Sequence, residues 1–406
     1  MPCVSAVVGY VTNVVALKMT FYPLEFFGPR IYQPEGSPLG LLGWQGIVPA
    51  KAGKMASKLM DLLLGKVVDV KKLFKQIDPL ELYHTLEPGL LAMLDGAINQ
   101  SAQKHFPSQW EALGKEAQLE VVFNATFMSQ RLIANLMEEL QAEIEQVVDL
   151  KQLVVQLMIE NKALLNKIFL KVGAQELLFI ELSGLFFGFG FGLIQLAIFI
   201  FYQGAWLLPV ASMIVGYATN AIALKLIFRP VDEHIICGLR IQGLFLKRQQ
   251  EVAAQFAEVY AAEVLTSEAI WNHILMGENS PRFFSLFKSH VHRFIDESVE
   301  GMTAGGLRPL LGMYVTEQQF FDLGEEMAQP LMEQLHGSIR LSYAYCDKAL
   351  ALQALLTKEL QAFSSKEFEG LLHPVFEEDE AKLISVGAML GLLTGVFQYF
   401  VMVGGS

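Results

Sequence analysis

Leu177-Leu-Phe-Ile-Glu-Leu-Ser-Gly184-Leu-Phe-Phe-Gly188-Phe-Gly-Phe-Gly192-Leu-Ile-Gln195-Leu-Ala-Ile-Phe-Ile-Phe-Tyr202 carries a single charge, Glu181. After a short break at Gln203-Gly204-Ala205, a second apolar run extends from Pro209 to Phe228. Each run is close to the ~20 residues that a helix needs to cross ~30 Å of hydrocarbon. Pro209 suits a first helical turn, and Trp206 suits the boundary between lipid and water. The stretch therefore reads as a membrane hairpin.

Two further apolar runs, Pro2 to Phe21 and Leu383 to Val403, bring the expected spans to four. An even count places residues 24–176 and 231–380 on one side of the membrane. Lys18, Arg30, Lys51, Lys54, Lys167, Lys171, Lys225, Arg229 and Lys382 all flank that side, and the 203–208 turn and both termini carry no basic side chain. By the positive-inside rule these segments form cytoplasmic lobes, or stromal or matrix-facing lobes in an organelle. The membrane is expected to be a bacterial plasma membrane or a plastid membrane, and the sequon Asn124-Ala125-Thr126 is expected to stay unmodified. Met1-Pro2-Cys3-Val4 lacks the basic start and cleavage site of a signal peptide and reads as the start of a helix, a reading compatible with an upstream segment.

The chain contains an internal repeat. Shifted by 207 residues, Pro2–Pro23 aligns with Pro209–Pro230 at 12 of 22 identical positions, among them Gly9/Gly216, Thr12/Thr219, Asn13/Asn220 and Lys18/Lys225. Gln45-Gly46 matches Gln242-Gly243, and a shift of 203 places Gly184, Gly188, Gly192 and Gln195 on Gly387, Gly391, Gly395 and Gln398. The expected fold is an all-α integral membrane protein with four transmembrane helices in two parallel tandem repeats, each with a large helical lobe. The first repeat covers 1–203 (helix 2–21, lobe 24–176, helix 177–202). The second covers 209–406 (helix 209–228, lobe 231–380, helix 383–403).

The repeated polar residues are the candidate functional positions. In Gly9-x-x-Thr12-Asn13-x-x-Ala16 the small and polar residues share one helix face, and an Asn amide in lipid needs a partner. Thr12, Asn13, Thr219 and Asn220 read first as glue between helices and second as the lining of a solute or lipid path. Lys18 and Lys225 read as interface anchors that snorkel to headgroups, with contact to an anionic lipid or substrate as the alternative. The glycine triplets Gly184/Gly188/Gly192 and Gly387/Gly391/Gly395 read as packing seams. Gln195 and Gln398 continue those faces and are expected to reach Asn13 or Asn220.

Between the spans the apolar period is helical: Met55, Leu59, Leu62 and Leu63; Val252, Phe256, Val259 and Tyr260; Ile133, Leu136, Leu140, Ile144 and Val147. Alternating strand patterns are scarce. Composition agrees with a chain that is part membrane and part water-exposed: 406 residues, 53% hydrophobic and 18% charged. A net charge of −12 without a basic cluster argues against a nucleic-acid partner. Cys3, Cys237 and Cys346 are too scattered for a disulfide framework. His290-x-His292 is not a helical metal pair, because residues two apart point away from each other. Gly301 to Gly306 lacks the P-loop Lys-Ser/Thr and reads as a turn, and Glu377 to Glu380 reads as a solvated helix start. No catalytic residue, cofactor or metal site is expected.

Val8-Gly-Tyr-Val-Thr-Asn13 with Ala16-Leu-Lys18 and Pro23, Gln45-Gly-Ile-Val-Pro49, Lys171-Val-Gly-Ala-Gln-Glu-Leu-Leu-Phe-Ile180, and His373-Pro-Val-Phe376 with Asp379-Glu380 resemble the domain-of-unknown-function 445 family of membrane proteins. The resemblance implies a multipass membrane protein of bacteria and some photosynthetic eukaryotes without an established activity, and carries over no functional residue. One departure is Leu246-Lys247-Arg248 in the second copy, where the first has Pro49-Ala50-Lys51. The leading expectation is a membrane-anchored helical scaffold whose lobes bind membrane lipid or a protein partner. The alternative is a translocator of a lipid or small solute through the polar repeat interface, and an enzyme ranks third. Oligomeric state is not legible.

Overall fold

The computed structural model describes residues 2–29, 36–202, 204, 206–236, 239–302, 317–370 and 380–402. Helix α1 (Pro2–Phe21) leads to an antiparallel hairpin, β1 (Leu39–Gly40) with β2 (Gly43–Trp44). Helices α2 (Ile47–Ala50), α3 (Ala52–Lys66), α4 (Val70–Phe74), α5 (Pro79–His105), α6 (Pro107–Val147), α7 (Leu150–Glu160) and α8 (Lys162–Val172) follow, before α9 (Ala174–Phe201). The second half begins with α10 (Leu207–Phe228) and a hairpin of β3 (His234–Ile236) with β4 (Leu239–Ile241). It continues through α11 (Leu244–Lys247), α12 (Gln249–Glu263), α13 (Ser267–Met276), α14 (Ser280–Met302), α15 (Glu317–Ile339), α16 (Tyr343–Leu350), α17 (Leu352–Ala362) and α18 (Glu380–Met402). Arg30, Cys237, residues 303–306, His373–Phe376, the acidic residues 377–379 and Val403 lie outside the described residues.

Helices α1, α9, α10 and α18 are the four that are long and apolar enough to cross a membrane among the described residues. Their outward faces carry exposed large apolar side chains, including Val7, Phe186, Ile194, Ile214, Met389 and Phe397. A stripe of this kind is stable against lipid and costly against water. Trp206 is exposed at the turn between α9 and α10, where its indole N–H donates to the Tyr202 hydroxyl at 3.0 Å. That is the aromatic chemistry of a lipid–water boundary.

Contacts group the chain into two compact units that do not follow its two halves. The first unit comprises Met1–Val67, Val154–Glu263 and Gln353–Ser406 and holds all four spans. Within it α1 packs on α9, and α10 packs on α18. Both pairs run antiparallel. Going down α1, Gly9 meets Gly184, Ser5 meets Gly188 and Pro2 meets Gly192; in the other pair Gly216 meets Gly387, Ser212 meets Gly391 and Leu208 meets Gly395. At Gly9 and Gly216 a Cβ would overlap the facing glycine's carbonyl, so the backbones touch directly.

Each of α1 and α10 ends at the same kind of corner. Gly46 N–H donates to the Pro23 carbonyl at 2.9 Å and the Gln45 amide to Leu24 at 2.6 Å. In the second copy Gly243 N–H donates to Pro230 at 3.0 Å and the Gln242 amide to Val231 at 3.1 Å. The Gln-Gly pair thus satisfies backbone carbonyls of the chain just beyond the helix end. In the first corner the Trp44 indole donates to the Met19 carbonyl at 3.2 Å, which holds the hairpin against the last turn of α1. Phe27, Leu39, Leu41 and Leu42 are more than half exposed there.

The second unit comprises Val68–Leu153 and Val264–Leu352 and is built from both halves. Helices α5, α6, α14 and α15 form a ring in which α5 touches α6 and α15, and α14 touches α6 and α15. Local signals set the helix starts. Asp78 accepts from the N–H groups of Leu80 and Glu81 with Pro79 in the first turn of α5, and Thr266 accepts from Ala269 N–H ahead of α13. Gly114, at φ +74°, breaks α6 near its start, a conformation that favours glycine. Leu140, Ile144 and Val147 are completely buried, each Leu or Ile stabilising the bundle by about 1.5–3 kcal/mol. Along the seam of α6 with α14, Glu143 accepts from Arg282, and His290 Nε2 lies 2.7 Å from Glu139.

Candidate functional site

The structure buries the repeated polar residues of the spans: Thr12, Asn13, Thr219 and Asn220 are at most 4% exposed. Thr12 Oγ1 donates to the Gly9 carbonyl and Thr219 Oγ1 to Gly216, each one turn back on its own helix. Asn13 Nδ2 donates across the helix pair to the Ile180 carbonyl at 2.6 Å, and Asn220 Nδ2 to Leu383 at 3.0 Å. Both amides therefore serve the helix that packs on them, while both Oδ1 atoms are buried without a hydrogen-bond partner. Gln195 does not meet Asn13. The antiparallel arrangement places it beside Ser5, whose hydroxyl donates to Gln195 Oε1 at 3.1 Å, two turns or about 12 Å from Asn13 along α1. Gln398 is buried in α18. Lys18 and Lys225 are exposed near the ends of α1 and α10.

Where α1, α9 and α10 meet α8, α11 and α12, helices of the same unit, the structure contains a narrow cavity of about 40 Å³. Phe21, Ile168, Phe169, Leu224, Phe228 and Phe245 form much of its wall, and Glu176 is the one charged residue that lines it. It lies at the ends of three spans, where Phe21 closes α1, Phe228 closes α10 and Glu176 is in the first turn of α9.

Glu176 lies in the first turn of α9, where the helix macrodipole favours a carboxylate. Only 6% of it is exposed. Its Oε1 accepts from Arg248 Nη1 at 2.7 Å, and its Oε2 is buried without a partner. Arg248 also forks onto Glu251 through Nε at 3.0 Å and Nη2 at 2.8 Å. The guanidinium holds the Glu251 carboxyl below its ordinary value, and Glu251 in turn raises Arg248. The sum of these three groups is one negative charge. In the sequence Glu176 and Arg248 stand out only within the stretches that carry the resemblance and its departure. The available signal is a carboxylate immediately ahead of the longest apolar run.

The second unit holds its own cavity of about 50 Å³ between α5, α6, α14 and α15, walled by residues such as Leu86, Met93, Leu136, Phe283, Phe294 and Leu335. Ser129 and Ser338 are the polar residues that line it.

Four long apolar helices packed through glycines, joined to further helices around an apolar cavity, define an integral membrane protein of the all-helical class. Similarity to known proteins agrees with that class. The chain is 39% identical over 67 residues to a UPF0754 membrane protein of Synechococcus sp., a stretch covering 16% of each chain. It is 28% identical over 112 residues to a UPF0754 membrane protein of Staphylococcus epidermidis, covering 27% of this chain and 29% of that one. A UPF0754 protein of Alkalihalophilus pseudofirmus matches at 23% over 210 residues, 46% of this chain and 52% of the relative. The matches thus span from about a sixth to about half of these relatives' length. No family model matches.

Proposed function

We propose that this protein is a membrane-anchored helical scaffold that holds lipid where its spans meet the water-exposed helices. The observation that supports it is the apolar cavity beside Phe21, Phe169 and Phe228, at the last turns of α1 and α10 and the first turns of α9. A lipid chain is the apolar ligand that a membrane supplies at that level. The exposed apolar hairpin around Leu41 and Leu42, tied to α1 by Trp44, rests in the headgroup layer in this reading and steadies the first unit on the membrane. The water-exposed helices lie on the cytoplasmic side, with Lys18, Lys225 and Arg229 following the positive-inside rule. The second unit is the surface left for a protein partner. The resemblance to the domain-of-unknown-function 445 family, and the duplication into repeats at 1–203 and 209–406, belong to the same proposal.

The translocator reading has less support. Thr12, Asn13, Thr219 and Asn220 direct their donors to neighbouring backbone, and none of them lines the cavity at the span ends. The test is native mass spectrometry of protein released from native-lipid nanodiscs, comparing the natural chain with Leu177→Trp, which fills the cavity. Lipid is expected to stay with the natural chain and to leave the variant. Equal retention by both, or none by either, overturns the proposal.

A further inference from the structure

We infer that the cavity at the ends of the spans selects an amphiphile whose head donates a hydrogen bond, an amine or an alcohol, over one whose head is anionic. The inference rests on the lipid-holding reading above and adds the chemistry of the head.

The argument starts from an unmet demand. A buried carboxylate oxygen without a donor is costly, and structures rarely leave one. Glu176 Oε2 is in that state, on a residue that is 6% exposed and lines an otherwise largely apolar cavity. Arg248 does not meet the demand. Its Nη1 is on the other oxygen, Oε1, and its Nε and Nη2 are held by Glu251. The lysines of α8 are engaged elsewhere: Lys167 pairs with Glu263 at 2.5 Å and Lys171 with Glu258 at 2.9 Å. Among the polar side-chain atoms of Glu176, Arg248 and Glu251, Oε2 of Glu176 is therefore the one with no hydrogen-bond partner, and the formal charge of the three groups sums to minus one. An ammonium or hydroxyl head donates to Oε2 while its chain lies against Phe169, Leu177 and Phe228. A carboxylate or phosphate head brings a second acceptor against the first and is repelled. The carboxylate's charge assists either bond, and an ammonium adds the attraction of opposite charges.

The experiment uses the full chain in nanodiscs and four photoreactive twelve-carbon probes with the same diazirine tail: primary amine, alcohol, carboxylic acid and unsubstituted hydrocarbon. Labelling of the peptides containing Phe169 and Leu177 is read by mass spectrometry. The amine is expected to label at least tenfold above the acid, with the alcohol between them. Glu176→Gln is expected to abolish the preference of amine over alcohol. Glu251→Gln leaves the open oxygen in place and is expected to retain it, which separates loss of the acceptor from general disturbance of the Arg248 cluster. If all four probes label the cavity equally, the inference about the head fails and the lipid-holding reading survives. If the acid labels best, the inference is reversed and Arg248 governs the site. If no probe labels these peptides, both fall. A water molecule that permanently satisfies Oε2 would also give equal labelling, and so counts against the inference.

Discussion

Gly9→Ala adds a single methyl group at the closest approach of α1 and α9. Its Cβ would overlap the Gly184 carbonyl, and restoring ordinary contact requires the helices to separate by about 1 Å. Overpacking of this kind costs typically about 1–3 kcal/mol. The same displacement acts on the next turn, where Asn13 Nδ2 donates to the Ile180 carbonyl at 2.6 Å. Stretched to about 3.6 Å, that contact ceases to be a hydrogen bond, and a bond of this kind in a membrane bundle is worth about 0.6–2 kcal/mol. The expected total is about 2–5 kcal/mol, offset by up to ~1 kcal/mol from the better helix propensity of alanine. Gly190→Ala is the control on α9, because nothing lies within 4 Å of a Cβ there, so only the propensity gain remains. The assay is reversible unfolding in mixed micelles with increasing denaturing detergent, read by circular dichroism for both variants and for Gly216→Ala, the equivalent contact on α10. Gly9→Ala and Gly216→Ala should unfold first, and Gly190→Ala should match or exceed the natural chain. If Gly9→Ala proves as stable as Gly190→Ala, direct backbone contact is not what joins these helices.

Leu140→Ala, at a completely buried position of α6, should destabilise the second unit by about 2–5 kcal/mol while α9 keeps its exchange protection, as followed by hydrogen exchange. Leu41→Asp with Leu42→Asp should move the first hairpin out of the headgroup layer; a spin label at position 39 should lose its contact with lipid-borne oxygen, and an unchanged signal would show that the hairpin never rested there. His273 titrates below its ordinary value because it is buried, with Asp149 and Glu278 opposing the shift in part. The unfolded chain therefore takes up this proton first as pH falls, so the contribution is full above about 6.5 and is lost as pH drops through the lower folded value. Melting of the second unit should accordingly be flat near pH 7.5 and decline below 6.5, and His273→Gln should remove that step. Glu326 is held below its ordinary value by hydrogen bonds from Lys104 and then His105, so its contribution is present above pH 4.5 and declines only in more acidic solution.

The spans were legible because lipid imposes one crude rule on about twenty consecutive residues. Pro2 to Phe21 matches α1 in full, and Leu177 to Tyr202 differs from α9 by only a few residues at each end. The amphipathic faces were legible for a related reason: Val252, Phe256, Val259 and Tyr260 are all buried as their helical spacing requires. Met60, which the first-copy pattern passed over, is equally buried and accepts from the Tyr260 hydroxyl at 3.0 Å. Periodicity says which face turns inward but not what it meets, so nothing in the pattern of α6 announced α14, more than 130 residues away, as its neighbour. The hairpins escaped notice because Leu39-Gly40-Leu41-Leu42-Gly43-Trp44 does not alternate. Its shape is held by the corner, through Phe27 and Trp44 exchanging backbone hydrogen bonds and Trp44 reaching Met19.

The candidate site was hidden for a different reason. Repetition drew the eye to Asn13 and Asn220, and repetition selects for whatever both copies need, which here includes the contacts that join their helices. Glu176 has no identical counterpart in the second copy: at the shift that superposes the glycines its place is taken by Asp379, and Arg248 stands where the first copy has Lys51. A search for identical positions passes over such a pair, although acid and base keep their sign in both places. What sets Glu176 apart is therefore its surroundings and not its type. An ion pair at the end of a span is more costly to retain than an apolar contact of the same volume unless it makes further bonds, and here one of its oxygens still lacks a donor.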